Sequence, residues 1–493
     1  MSGPISHPPT ETNQPTATRY LVLVWMCAAA AIAYIQRNGI SVAESTIRSE
    51  LGLSKEEMGW VLGGFFWTYA LLQVPSGHLA ERWGSRKALT LYSSIWSVAT
   101  AVTALTGSGL LASLVAPAVL RMDPGLSSAG IGMFAAVFWL YFFRLLAGAG
   151  QAGIFPCSAI IISEWYPATR RGLVTGWVAA FQQVGAILAA GLTGVLLARM
   201  NWRGMFLLYS IPGFVWAWFF FRWFRNRPQE HPSVNSAELA LIYPASHTAP
   251  HTPDTQQSAA RSHNDWKEEF AANAGIAASN STPWLLLATS PALWWICGQQ
   301  FFRGAGYIFY ASWFPTYLQE ARGVTVTQSG LLTSLPLTTS LVGTLVGGTI
   351  SDWVLIRTGS RRLARQGIAL VGMIGCASLI FAAFFIENPE LAVLVISGGS
   401  FFAALAGPAS YSISIDMGAK NVATVFGMMN MSGNIGAATF PILVPKLLLL
   451  PGGWDSVLFV FGSVYLAAAI FWLLVNPNGT IVGQSLLNRN RGP

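Results

Sequence analysis

Long apolar stretches dominate this chain and leave it one kind of solvent to fold in. A bilayer span takes about 20 apolar residues. Twelve stretches meet that length, near 20–43, 58–79, 88–115, 132–162, 172–198, 204–223, 290–318, 328–350, 366–386, 391–415, 421–449 and 454–476. Only 10% of the 493 residues are charged, against about 25% in a soluble domain. In lipid the backbone polar groups must pair within the segment, so each stretch is read as a helix. The expectation is an all-α membrane protein of twelve transmembrane helices. Residues 1–19 are polar and rich in Pro and Thr. The apolar run after them is too long for a cleaved signal peptide and reads as the first span.

A net charge of +8 raises the question of nucleic acid, and the charge distribution answers it. With the N-terminus on the cytoplasmic side, eighteen of the 28 Lys and Arg fall in inner loops and tails. That is the positive-inside bias of a membrane protein rather than a nucleic-acid face. Both termini are then cytoplasmic, in a multi-pass protein of the inner (cytoplasmic) membrane. Cys27, Cys157, Cys297 and Cys376 all lie in predicted spans without metal-ligand spacing, and read as small buried apolar residues.

One long polar segment separates six spans from six. The chain divides into an N-terminal tail (1–19), a first six-helix half (20–225), a cytoplasmic linker (226–283), a second half (284–476) and a C-terminal tail (477–493). The linker composition suits a flexible tether, with Asp265–Phe270 able to form a short surface helix. The halves echo each other. Span 2 runs into Gly77-His-Leu-Ala-Glu81-Arg82-Trp-Gly84-Ser-Arg86-Lys87, and span 8 into Gly348-Thr-Ile-Ser-Asp352 and Gly359-Ser-Arg361-Arg362. Such repeats place a substrate near the midplane between the halves. The segment 107–131 reads either as an interfacial piece or as an extension of span 3.

Three arginines, Arg37, Arg144 and Arg303, lie within the spans, and no Asp or Glu sits mid-span to pair with them. A cation at that depth costs about 2.5–3.5 kcal/mol on the mildest scale and normally faces a water-filled cavity or an anion. Arg37 is about 25 Å along its helix from Tyr20, so it either snorkels to the outer headgroups or binds substrate. Arg303 is about 18 Å inside span 7, counted from Pro291, where snorkelling is hard. Its neighbours Gln299, Gln300, Gly304, Gly306, Tyr307 and Tyr310 are polar or small. Arg144 shares a helix face with Gly148 and Gln151, and packing and substrate contact both remain open for it. Further polar residues at depth are Tyr69, Gln73, Tyr411, Ser414, Asn430 and Asn434. Hydroxyls and amides there either line a cavity for a polyhydroxylated ligand or bridge helices.

Gly77–Lys87 resembles the loop 2–3 signature of the major facilitator superfamily, with Glu81 at the usual Asp, and Arg144-Leu-Leu-Ala-Gly148 fits its span 4 pattern. Tyr34-Ile-Gln-Arg37-Asn-Gly-Ile, Tyr69-Ala-Leu-Leu-Gln73-Val-Pro75, Gly148-Ala-Gly-Gln151-Ala-Gly-Ile-Phe-Pro156, Trp313-Phe-Pro315 and Asn430-Met-Ser-Gly-Asn434 narrow it further. They resemble the anion:cation symporter branch, which includes bacterial galactonate, glucarate and hexuronate transporters, sialin and the vesicular glutamate transporters. The resemblance implies that Arg37 holds the substrate carboxylate. Where proton-coupled relatives carry acids, this chain has Gln36 and Gln151, which cannot titrate but can hydrogen-bond a hydroxyl or carboxylate. Coupling then either uses Glu44, Glu164 or Asp416 at span ends or is not protonic. Tyr411 stands where several relatives carry Trp. Glu81, Arg82, Arg86 and Lys87, with Asp352, Arg361 and Arg362, read as inner gating clusters, formed in one conformation and broken in the other.

The expectation is a secondary active transporter for an organic anion, foremost a sugar acid such as a hexonate or hexuronate. Arg37 and Arg303 would take the carboxylate, with Gln36, Tyr69, Gln73, Gln151, Tyr307, Tyr310, Tyr411, Ser414, Asn430 and Asn434 around it. Arg144, Glu164 and Asp416 join the gating and coupling set. No cofactor or metal is expected beyond a coupling H+ or Na+, and the chain is expected to act as a monomer with substrate and lipid as its partners. An exchanger, a facilitative or sodium-coupled carrier, a cation exporter and a non-transporting sensor are the rivals. An enzyme is not expected, because no nucleophile–base constellation is present.

Overall fold

The computed structural model describes residues 14–243, 287–418, 422–477 and 481. The Asp265–Phe270 helix, most of the linker and the C-terminal tail lie outside the described residues, as does the side chain of Asp416. Sixteen helices are described. They are α1 (Thr18–Leu51), α2 (Lys55–Trp83), α3 (Ser85–Thr103), α4 (Gly109–Met122), α5 (Ser128–Gln151), α6 (Ile154–Trp165), α7 (Ala168–Leu197), α8 (Trp202–Trp223) and α9 (Ser236–Ile242). The chain continues through α10 (Pro291–Tyr310), α11 (Phe314–Arg322), α12 (Val326–Thr358), α13 (Ile368–Ala383), α14 (Pro389–Gly418), α15 (Val422–Leu447) and α16 (Trp454–Leu474).

Local signals explain the starts and stops. Ser54 and Glu57 form a reciprocal capping box ahead of α2, and Thr325 and Gln328 do the same ahead of α12, each satisfying two orphan backbone donors. Gly52 closes α1 in the left-handed region at φ 68°. Eight segments are, by length and composition, apolar enough to cross a membrane: α1, α5 with α6, Leu173–Leu197, α8, α12, Arg362–Ala383, Pro389–Ser414 and α16. The remaining long helices include α10, with Gln299, Gln300 and Arg303, and α15, with Asn430, Ser432 and Asn434. Polar residues along both helices lower their mean hydropathy.

Three stretches differ from a simple reading of the apolar runs. Residues 107–131 do not extend span 3: α3 ends at Thr103, Ser108 caps a separate helix, and α4 packs on α5, where Trp139 Nε1 donates to the Leu111 carbonyl at 3.0 Å. Span 4 breaks at Ala152–Gly153 into α5 and α6, and span 7 breaks at Ala311–Trp313 into α10 and α11. All four cysteines are buried and free, as expected.

The helices pack as two bundles. In the first, α1 packs on α7 and α8, α2 on α5, and α3 on α5 and α8. In the second, α10 packs on α15 and α16, α12 on α14, and α13 on α14 and α16. The bundles meet along two long seams, α2 against α15 and α7 against α12. Glycine permits that approach: a Cβ at Gly63 would stand 2.5 Å from the Ala438 carbonyl oxygen, and one at Gly330 2.6 Å from that of Ala190.

The first residues of the linker fold back on the end of the bundle where α1 begins, here called the linker end. Glu238 of α9 is fully buried and accepts from Thr16 Oγ1 and the Arg19 backbone N–H, each at 3.0 Å. His231 is buried between Trp165 and Trp223, with ring centroids at 5.7 and 4.7 Å, and its Nδ1 accepts from the Ser233 N–H at 3.2 Å. Burial, and secondarily the Arg225 charge, hold the imidazole pKa below its usual value. A depressed histidine pKa contributes stability that is full above the unfolded value, about 6.5, and is lost as pH falls below it. Acidification from pH 7.5 to 5 is therefore expected to lower the amide protection factors across residues 228–243. His231→Gln should flatten that dependence, and an unchanged pH profile in the variant would remove His231 as its cause.

Candidate substrate site

The layer between the bundles is built around Arg37. Its guanidinium carbon lies 4.5 Å from the ring centroids of both Phe65 and Phe66, 5.1 Å from Tyr34 and 5.3 Å from Tyr69. Tyr34 stands one turn before Arg37 on α1, and Phe65 and Tyr69 share a face of α2 at i, i+4 spacing, stacked at 5.5 Å. Ring faces stabilise the cation, and its planar fork of N–H donors has the geometry that fits a carboxylate. Arg144 sits behind it. Arg144 Nη1 donates to the Arg37 carbonyl at 3.1 Å, its guanidinium lies 5.1 Å from the Phe65 ring, and its Nε is buried without a partner.

From the second bundle comes Arg303, half-buried on α10, whose Nε donates to Gln300 Oε1 at 3.1 Å. Among the described residues, none of these three arginines forms an ion pair. Two hydrogen bonds cross the layer: Asn430 Nδ2 to Gln73 Oε1 at 2.9 Å, and Tyr307 Oη to Gln183 Oε1 at 3.0 Å. Tyr411, within electrostatic reach of Tyr34 and Tyr69, is 41% exposed. The structure thus brings together Arg37, Arg144, Arg303, Tyr69, Gln73, Tyr307, Tyr411 and Asn430. Gln183 went unread in the sequence; a Gln182–Gln183 pair inside an apolar span was the available signal.

Other expected site residues stand elsewhere. Gln36 is buried in the first bundle, donating to the Tyr209 carbonyl at 2.7 Å and accepting from Thr100 Oγ1 at 3.3 Å. Gln151 donates to the Ala33 carbonyl at 2.9 Å. In this conformation both amides tie helices together. Tyr310 lies in the second bundle's core against Phe314 and Phe461. Ser414 is buried and donates to the Tyr411 carbonyl at 2.8 Å, and Asn434 donates to the Asn430 carbonyl at 2.9 Å.

At the linker end the expected clusters are rearranged. Asp352 pairs with Arg365 Nη1 at 3.3 Å, the same atom that meets Ser351 Oγ at 2.6 Å, while Arg361 and Arg362 are exposed and Arg362 bonds Gln366 instead. Arg365 is a full helical turn further along than Arg361, where the π-helical turn Arg362–Gly367 aims it inward. Glu81, Arg82 and Lys87 are exposed, Glu81 meeting only His78 at 3.9 Å among the described ion pairs. Arg86 Nε donates to the Phe221 carbonyl at 2.8 Å, and Glu164 lies near Arg171 and Arg227.

The opposite, far end is closed by a network between bundles. Glu44, with no exposed surface, accepts from Arg48 Nε at 2.8 Å and from Thr316 Oγ1 at 2.6 Å. Arg48 and Lys55 both reach Glu320 at 2.6 Å. Ser45 bonds Gln319, Ser41 bonds the Ala311 carbonyl, and Thr327 Oγ1 donates to the Gly194 carbonyl at 3.1 Å. A half-buried charge network joined to a buried carboxylate is costly to break one partner at a time. Ser45→Cys with Gln319→Cys is therefore expected to cross-link under mild oxidation. Adding Glu320→Gln should lower the yield severalfold, and an undiminished yield would show that the latch does not hold this end shut.

A multi-helix membrane protein whose two bundles close at one end and carry a polar, arginine-bearing layer between them has the build of a transporter. The chain belongs to the Major Facilitator Superfamily, whose sequence profile matches residues 26–385 and 300–489. It is a transporter of that superfamily and not an enzyme. It is 29% identical to the probable sulfoacetate transporter SauU of Cupriavidus necator, over 95% of this chain and 96% of the relative. It is 27% identical to the probable galactarate/D-glucarate transporter GudP of Escherichia coli, over 96% of each. A bacterial homolog of the human lysosomal transporter Spinster, in an inward-facing and unoccupied conformation, shares the fold at a TM-score of 0.65 and 18% identity. That match covers 95% of this chain and 98% of the homolog. The resemblance read from the sequence motifs is borne out.

Proposed function

We propose that the protein is a secondary active transporter that moves an organic anion, of the sugar-acid class, across the membrane by alternating access. The observation that carries this reading is the caged Arg37: a cation at depth, stabilised by four ring faces, with no ion-pair partner among the described residues. Relatives named as carriers of sugar acids and a sulfonated acid support the same class. In this reading twelve spans form two six-helix halves, 20–225 and 284–476, with tails 1–19 and 477–493 and the linker 226–283 on the cytoplasmic side of the inner membrane. The chain works as a monomer. Arg37 takes the carboxylate, and Tyr69, Gln73, Gln183, Tyr307, Tyr411 and Asn430 are placed to read hydroxyls. Arg144 holds α5 to α1 behind the cage. The amide bridges of Gln36 and Gln151 favour exchange or a sodium gradient over proton coupling at those two positions.

Arg37→Ala in proteoliposomes is expected to lower uptake by about 100-fold or more, the loss that goes with a bidentate charged pair of roughly 3 kcal/mol. Arg37→Lys keeps the charge but not the fork and should recover only part of it. Uptake retained in Arg37→Ala would sink the assignment.

A further inference from the structure

The outer face of the first bundle carries a groove that lies apart from the layer between the bundles. It runs between α3 and α8, measures about 510 Å³, and is lined chiefly by Thr90 and Ser94 of α3 and by Phe214, Val215, Trp218 and Phe221 of α8. Its two hydroxyls are already spent on their own helix. Thr90 Oγ1 donates to the Arg86 carbonyl at 2.8 Å, and Ser94 Oγ to the Thr90 carbonyl at 2.9 Å. An occupant of this groove is therefore apolar. The helix α8 is long and apolar enough to cross a membrane, and its Trp218 is 64% exposed, so the groove opens towards lipid. An acyl chain fits those surroundings, but on its own it would not be chosen over its neighbours, because lipid tails are as apolar as the side chains they touch.

Charge at one end of the groove supplies the choice. Arg86 stands one turn before Thr90 on α3 and Arg222 one turn after Trp218 on α8. The two helices run in opposite directions, so both arginines reach the linker end of the groove. The Arg86 guanidinium lies 4.6 Å from the Phe221 ring centroid and that of Arg222 6.0 Å from the Trp218 ring centroid, so each rests on a ring that lines the groove. Arg86 Nε donates to the Phe221 carbonyl at 2.8 Å, which fixes the fork and leaves its terminal amino groups without a described hydrogen bond. Neither arginine forms an ion pair among the described residues. Arg225 and the exposed Glu230 are within electrostatic reach of Arg86, and the three arginines outweigh the one acid.

We infer that this groove binds a phospholipid of net negative charge, with one acyl chain laid between α3 and α8 and the phosphate on Arg86 and Arg222. A guanidinium fork fits phosphate through two hydrogen bonds, and basic pockets between transmembrane helices at headgroup level take anionic lipids in this way. Both helices belong to the first bundle, so the lipid travels with that bundle and does not bridge the two. The site is independent of which substrate the transporter carries.

The test uses the full-length protein in detergent micelles, with phosphatidylglycerol and phosphatidylcholine of identical acyl chains titrated in and bound lipid counted by native mass spectrometry. The two lipids share the phosphodiester and differ in net charge. The wild type is expected to prefer phosphatidylglycerol by about 25-fold, with about fivefold from each arginine. Arg222→Gln should lower the ratio about fivefold, and Arg86→Gln with Arg222→Gln should bring it to about one. Ser94→Phe, which fills the groove and leaves every charge in place, should weaken both lipids. Arg357→Gln is the control: Arg357 also rests on an exposed tryptophan, Trp353, at 5.3 Å, but on α12 of the second bundle. It should leave the ratio within about twofold. A ratio near one in the wild type, or one undiminished in the double variant, overturns the inference. So does an equal fall in Arg357→Gln, which would reduce the preference to general surface charge. Binding untouched by Ser94→Phe, or lipid displaced by millimolar glycerol 3-phosphate, would leave an anion on two arginines and remove the lipid.

Discussion

The desolvation of three guanidinium groups is the constraint on which this structure turns. Moving a cation away from water is expensive, and the usual remedy, a carboxylate, is not supplied to Arg37, Arg144 or Arg303 by the described residues. The protein uses weaker substitutes. Ring faces surround Arg37, a backbone carbonyl meets Arg144, and a neighbouring amide oxygen meets Arg303. Each substitute holds a side chain in place while leaving positive potential directed into the layer. A cleft lined by one sign of charge with low-dielectric walls concentrates counter-ions, so the layer is arranged for an anion before one arrives.

That potential acts on a two-body mechanism. The seams at Gly63 and Gly330 let backbones touch, and the latch of Glu44, Arg48, Lys55 and Glu320 shuts the far end with paired charges. Among the described residues, acids are thus present where the bundles grip each other and absent beside the central arginines. The far end has its counter-ions within the protein, whereas no described acid supplies one to Arg37, Arg144 or Arg303. Packed interfaces of this kind are bistable rather than continuously deformable, so a modest change in midplane charge can decide which end opens.

The sequence reading was strongest where solvent alone dictates the outcome. Apolar runs located the helices, the loop signature located the family, and the lone arginines located the midplane. It was weaker where direction around a helix matters. Gln36 and Arg37 are adjacent, so they point about 100° apart on the helix: one enters the bundle to meet Tyr209 and the other faces the layer. Composition at depth cannot separate them. Tyr310 and Tyr307 differ by one turn, yet Tyr310 packs on Phe461 while Tyr307 reaches Gln183. At the linker end, a π-helical turn carries Arg365 rather than Arg361 or Arg362 to Asp352, and no apolar periodicity announces that extra residue. The breaks at Ala152–Gly153 and Ala311–Trp313 were hidden for a related reason, since apolar runs continue through them.

The two glutamines bear on how such a layer is emptied as well as filled. An amide donates to its carbonyl at every pH, so the bonds by which Gln36 and Gln151 hold α1 to α8 and to α5 do not titrate. A carboxylic acid in either place would donate only while protonated and would be repelled by the same carbonyl once ionised. With amides there, the contacts of α1 inside its own bundle are set independently of proton concentration. Any charge that differs between a loaded and an empty layer then comes from groups other than these two amides. An ion pair made in that layer is strong only while the layer is dry.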